Sequence, residues 1–121
     1  MPKTVMIVDD SVSIRQMVSH TLKGAGYAVV EAPDGQSALD KARQSALDLV
    51  VTDINMPRMD GIALTKALRA DARHRRTPVL VLTTEASDDM KSKGKAAGAT
   101  GWLVKPFEPA KLLQVVQKVI G

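Results

Sequence analysis

The sequence predicts a doubly wound α/β domain, a five-stranded parallel sheet with five helices packed on its two faces. Five short runs rich in Val, Leu and Ile lack clean polar alternation, the pattern of strands buried on both sides. Segments with helical spacing separate the runs, so strand and helix alternate five times. Connections are short and no linker or low-complexity stretch breaks the alternation. One domain over residues 1–121, without an effector domain, is therefore expected.

The first strand is expected at 5–8. Ile14, Met17, Val18, Thr21 and Leu22 then form a helical stripe, with Ser11 or Ser13 near its start and Gly24 and Gly26 after it. The second strand, 27–30, is the weaker run and suits a position nearer the sheet edge. Asp34-Gly35 opens the second helix, with Ala38, Leu39 and Ala42 facing inward. The third strand is expected at 47–52, and Asp60-Gly61 opens a helix carrying Ile62, Leu64, Ala67 and Leu68. The fourth strand is expected at 79–82. The helix after it, 87–97, is poor, because Gly94 in its interior costs up to about 1 kcal/mol relative to Ala. Lys91 and Lys95 also repel at i,i+4. A last strand at 102–104 precedes a well-patterned helix at 109–120, with Pro109 suited to its first turn.

Composition narrows the function. Hydrophobic residues make up 45% of the chain but aromatics only 2%, so aliphatic side chains and Met must build the core. Cysteine is absent, which excludes disulfides and thiolate metal sites and makes a reducing compartment the default. No run approaches the ~20 apolar residues of a membrane span, and the N-terminus lacks the apolar stretch of a signal peptide. A cytoplasmic location is expected. The formal charge of +4 is uneven: residues 91–121 carry six lysines against one glutamate, a net of +5, and the remainder sums to −1. A second basic cluster, Arg73-His74-Arg75-Arg76, falls in an expected loop. Such a pole suits an acidic partner or nucleic acid, and equally a solvated face. Nothing resembles a stacking platform or a recognition helix, so nucleic acid is not the expected partner.

In doubly wound sheets, ligand sites gather at the carboxyl ends of strands. There the chain carries Asp9-Asp10 after the first strand, Asp53 after the third, Thr83-Thr84-Glu85 at the fourth and Lys105-Pro106 after the fifth. Each alone reads as an ordinary turn, cap or solvated residue. Together they bring three carboxylates, a hydroxyl and an ammonium to one sheet edge. Clustered carboxylates repel unless a cation joins them, and open oxygen-ligand sites favour Mg²⁺. Such a cation, with Lys105 and the Thr83 hydroxyl, suits phosphoryl transfer to a carboxylate nucleophile, Asp53.

These residues lie in Ile7-Val8-Asp9-Asp10-Ser11, in Val51-Thr52-Asp53-Ile54-Asn55-Met56-Pro57 with Met59-Asp60-Gly61, in Leu82-Thr83-Thr84-Glu85 and in Gly101-Trp102-Leu103-Val104-Lys105-Pro106-Phe107. On these motifs the whole chain resembles the receiver domains of bacterial two-component response regulators, and is most similar to stand-alone chemotaxis members. The resemblance implies the flavodoxin-like strand order 2-1-3-4-5 and a single-domain regulator. Asp53 would be the phospho-acceptor, supplied by a phosphohistidine on a CheA-like histidine kinase. Asp10, Asp53 and the backbone carbonyl of Asn55 would hold Mg²⁺, with Asp9 acting through a coordinated water. Lys105 would contact the acyl phosphate and Thr83 would swing in to bind it. Asn55 and Glu85 would tune phosphate lifetime, and Lys105-Pro106 would be a cis peptide.

The family's aromatic switch position, often Tyr, is Trp102 here, which exchanges a phenolic hydroxyl for a bulkier ring with an N–H. Output is expected from protein binding at a face made by the fourth helix, the fifth strand and the last helix, bearing Lys91, Lys93, Lys95 and Lys111. An acidic or amphipathic peptide would suit that face. The flagellar motor switch is the expected target, with a phosphatase as a further partner and a monomeric state. A phosphate sink or phosphorelay intermediate is the alternative, as is a receiver that has lost phosphorylation. The domain would support only its own phosphorylation and autodephosphorylation, not enzymatic turnover. A flavodoxin-like nucleotide or flavin binder is disfavoured because Asp9-Asp10 would repel phosphate without a metal. An aspartyl-phosphate phosphatase is disfavoured because Asp53 is followed by Ile54 and Asn55, not by the Asp-x-Asp pattern.

Overall fold

In the computed structural model, which describes residues 2–121, the order is β1 (Thr4–Val8), α1 (Val12–Gly24), β2 (Ala28–Ala32), α2 (Gly35–Ala42), β3 (Leu49–Thr52), α3 (Gly61–Ala70), β4 (Val79–Thr83), α4 (Asp88–Ala97), β5 (Gly101–Val104) and α5 (Pro109–Ile120). The strands are all parallel, in the order β2-β1-β3-β4-β5. The chain leaves β1 for β2 on one side and returns to β3 on the other. The strand order therefore reverses between β1 and β3, where a crevice opens at their carboxyl ends.

The missing polar alternation has a direct cause. Val5, Ile7, Leu49, Val51, Leu80 and Leu82 pack against Val18 and Leu22 of α1 and Leu112 and Val116 of α5. Their alternate neighbours Met6, Val8, Val50 and Val79 pack on the other face, against Ala38 and Leu39 of α2 and Leu64 and Leu68 of α3. Apolar residues of the central strands are thus divided between two cores. The outer strands differ. β2 is half-buried along most of its length, as its weaker run implied, and β5 is half-buried with Val104 exposed. The expectation of full burial fails for β5 because it is an edge strand paired only to β4.

Helix starts follow the capping chemistry of the sequence. Ser11, Asp34, Asp60 and Ser87 each accept the backbone N–H three residues on, from Ile14, Ser37, Ala63 and Met90. Pro109 occupies the first turn of α5. α4 is better supported than its composition suggested. Asp88 and Asp89 lie in its first turn, Lys93 pairs with Asp89 at 3.4 Å, and Gly98 closes it at φ 105°.

Three local expectations change. The third strand begins at Leu49, not at 47, because Asp48 binds Thr4 through both its carboxylate and its backbone N–H, at 2.7 and 2.8 Å. Met17, expected on the apolar stripe of α1, is 47% exposed. It lies at the helix edge beside Pro106 and Phe107, beyond the sheet. His74 does not belong to an exposed basic cluster, being buried with Nε2 2.6 Å from the Ala42 carbonyl and Nδ1 3.2 Å from Thr77 Oγ1. A carbonyl only accepts, so Nε2 donates in the bond to Ala42. The ring pins the α3–β4 loop to the end of α2.

Candidate functional site

Asp9 and Asp10 follow β1 and Asp53 follows β3, so the point where strand order reverses brings the three acids together. Their carboxylate oxygens lie within 4.8 Å of one another. Asp9 and Asp53 are buried and Asp10 is exposed, which leaves the cluster open on one side. Asp53 continues the sheet register, its N–H donating to the Val8 carbonyl at 2.9 Å. Its Oδ1 accepts the Ile54 N–H at 2.7 Å, fixing the carboxylate plane. Asp9 Oδ1 accepts the Ser11 N–H at 2.9 Å, directly before α1.

Lys105 reaches in from the end of β5. Its Nζ donates to Asp9 Oδ2 at 2.7 Å and to Asp53 Oδ2 at 3.1 Å. Burial works to lower the pKa of this ammonium, but the bond to Asp9 and the fields of both carboxylates outweigh it. The net effect is a pKa above the ordinary lysine value, so the site keeps its cation at neutral pH. The peptide joining Lys105 to Pro106 is cis.

The walls are tightly set. Gly61, at the start of α3, passes so close beneath Asp53 that a Cβ there would stand 2.1 Å from the Asp53 carbonyl oxygen. Only glycine allows α3 to begin so near β3. Between them, Asn55 is exposed and its Nδ2 lies 3.4 Å from Glu85 Oε1, spanning the mouth from the β3–α3 loop to the β4–α4 loop. Thr83 is fully buried, and its hydroxyl accepts the Glu85 N–H at 3.3 Å. The Glu85 carbonyl in turn accepts the Trp102 ring N–H at 2.9 Å. A continuous chain of contacts therefore runs from Thr83 through Glu85 to Trp102. The polar partner of the indole is a backbone carbonyl.

Among the expected site residues, Asp9, Asp10, Asp53 and Lys105 form one cluster, while Asn55, Thr83, Glu85 and Trp102 form a connected rim. No hydrogen bond joins Thr83 to Asp53 among the described residues. Two residues were missed. Arg15 of α1 donates through Nη1 to the Asp9 carbonyl at 2.7 Å, and its Nε lies 3.5 Å from Glu31 near the end of β2. The available signal was Glu31 itself, a charge in an otherwise apolar strand run, one residue beyond the expected strand.

The donor set fits a hard divalent cation: three carboxylates with oxygens in mutual reach, no nitrogen or sulfur ligand, and an open side for water and a phosphoryl group. Local backbone carbonyls could complete such a shell.

The family model for the response regulator receiver domain matches residues 5–117. The chain is 39% identical over 116 residues to the chemotaxis protein CheY of Pseudomonas aeruginosa, an alignment covering 95% of this chain and 94% of that one. It superposes on the structure of Vibrio cholerae CheY4 with a TM-score of 0.95 at 53% identity, covering 98% of this chain and 99% of that one. It also superposes on the receiver domain of the sensor histidine kinase PA1611 from Pseudomonas aeruginosa, with a TM-score of 0.92 at 29% identity. That match covers 100% of this chain and 99% of the other, whose structure has a magnesium ion coordinated in the active site cleft.

Proposed function

This chain belongs to the response regulator receiver domain family, and on that premise we propose that it is a phospho-acceptor switch centred on Asp53. The observation that carries the proposal is the meeting of Asp9, Asp10 and Asp53 around Lys105 at the carboxyl edge of the sheet. In the transfer, an Asp53 carboxylate oxygen bonds to the phosphorus of a phosphohistidine. The N–P bond breaks, and the imidazole keeps the electron pair and takes up a proton. A carboxylate needs no general base for this step. The Ile54 N–H holds Oδ1, so Oδ2, on the Lys105 side, is the attacking oxygen.

Asp10, Asp53 and the Asn55 backbone carbonyl would hold Mg²⁺, with Asp9 reaching it through water, and the bound ion would neutralise charge on the phosphoryl oxygens. Lys105 supplies a second cation for those oxygens, already oriented by two carboxylates. Thr83 turns its hydroxyl toward the aspartyl phosphate, loosening its contact with the Glu85 N–H. The Glu85 carbonyl carries that movement to Trp102 and the α4–β5–α5 face. Asn55 and Glu85, at the mouth, govern how water reaches the acyl phosphate and so set its lifetime. The protein supports its own phosphorylation and dephosphorylation and does not turn over a separate substrate.

Lys91, Lys93, Lys95 and Lys111 are exposed on the output face and suit an acidic or amphipathic peptide. The relatives named as chemotaxis proteins support the flagellar motor switch as that target, a CheA-like histidine kinase as donor and the cytoplasm as location. The direct test is transfer from a histidine kinase carrying radiolabelled phosphohistidine. Label should move to this chain when Mg²⁺ is present and stay on the kinase when Asp53→Asn is used. Equal labelling of the variant would reject Asp53 as acceptor.

A further inference from the structure

At the opposite end of the sheet, the approaches to β3 and β4 enclose an open cleft of about 490 Å³. Arg73, Arg75 and Arg76 line it, together with Leu47, Ala72 and Pro78. Its one acid, Asp48, has a carboxylate oxygen committed to the Thr4 N–H at 2.7 Å. Neither Arg75 nor Arg76 has an acidic partner among the described residues. Positive charge is thus concentrated in a concave space the size of small-ligand sites.

The arginines stand on a rigid base. His74 is buried between the Ala42 carbonyl and Thr77. From below, Arg69 donates to the carbonyls of His74 and Thr77 at 3.0 and 2.7 Å, and twice to that of Gly98 at 2.9 and 3.2 Å. Arg73 is steadied by the Arg43 carbonyl, to which its Nη1 donates. One half-buried arginine and one buried histidine therefore hold the segment that presents three other arginines. Such preorganisation reduces the ordering cost of binding.

We propose that this cleft is a second binding site, for a phosphate-bearing small molecule of nucleotide size. Guanidinium groups match phosphoryl oxygens in a bidentate fashion, and two or three together suit a di- or triphosphate. Ala72 and Pro78 give an apolar wall on which a base can lie. Lying at the amino ends of the strands, the site would be filled without covering Asp53, so the ligand and the phosphoryl group could occupy the protein together.

The test is titration of the full chain with ATP and GTP, followed by NMR and calorimetry, with inorganic phosphate, adenosine, a short single-stranded oligonucleotide and an acidic peptide as comparisons. The expected result is saturable binding of a nucleotide at submillimolar concentration, with amide shifts confined to residues 72–78 and their neighbours. Arg75→Gln with Arg76→Gln should weaken it at least tenfold. Both side chains are exposed, so an unchanged circular dichroism melt confirms that the variant is folded. Adenosine should not bind. Saturation absent up to millimolar nucleotide, binding indifferent to the two substitutions, or binding of only the oligonucleotide or only the peptide would each overturn the proposal.

Discussion

Asp9 is held at both ends, its carboxylate by Ser11 and Lys105 and its carbonyl by Arg15. The two contacts of Arg15 differ in weight. Its pair with Glu31 spans 3.5 Å with the glutamate about a third exposed, a type worth at most about 1 kcal/mol. The bond from a guanidinium to the buried end of β1 belongs to the stronger class of roughly 1.5–3 kcal/mol. Arg15 is therefore a positioning residue for the Asp9-Asp10 turn. Arg15→Gln should raise the Mg²⁺ dissociation constant by about tenfold, the low end for a residue that orients metal ligands. Arg15→Lys should recover part of that loss, because it keeps the charge without the planar fork. Metal titration followed by Trp102 fluorescence reads the effect, and an unchanged constant in Arg15→Gln would remove Arg15 from the site. The acids and Lys105 were legible in the sequence because each directly follows a strand, and parallel strands deliver their ends to one edge. Arg15 was not, because what it touches depends on which helical face meets the end of β2.

α4 shows how an element can be misjudged from propensity. Gly94 marked the helix as weak, and by intrinsic preference Gly94→Ala should stabilise it by about 1 kcal/mol. In the fold Gly94 is buried beneath Trp102, and a Cβ there would stand 2.6 Å from indole Cζ3. Steric overlap outweighs the propensity gain. Gly94→Ala should therefore displace the indole and break its bond to the Glu85 carbonyl, with no increase in thermal stability. Trp102 is the only tryptophan, so the emission comes from this one ring. The expected outcome is a red-shifted spectrum, and a more stable variant with unchanged emission would contradict it. Element order, caps and the α5 pattern were legible because they rest on local periodicity and on side chains three residues from the amides they cap. The slot between Gly94 and Trp102 was not, because it joins a helix to an edge strand through space. The half-exposure of β5 escaped for a related reason, since sequence order does not say which strand lies at the rim.

Across the whole molecule, one sheet separates two poles of opposite character. The carboxyl edge gathers acids around a single lysine, and the amino edge presents arginines on the α3–β4 loop. The parallel topology produces this division, because every strand begins at one pole and ends at the other. The basic cluster was visible as a run of charges, but its use was not. Only the fold shows that His74 turns inward and the arginines outward. The central claim concerns the acidic pole, where a nucleophilic carboxylate, a cation site and a lysine meet. It is tested most directly by incubating the intact chain with acetyl phosphate and Mg²⁺ and recording its mass. One phosphoryl group should be gained, lost when Mg²⁺ is chelated beforehand and absent in Asp53→Asn. A gain of equal size in Asp53→Asn, or none with any donor including a phosphorylated histidine kinase, would contradict the account.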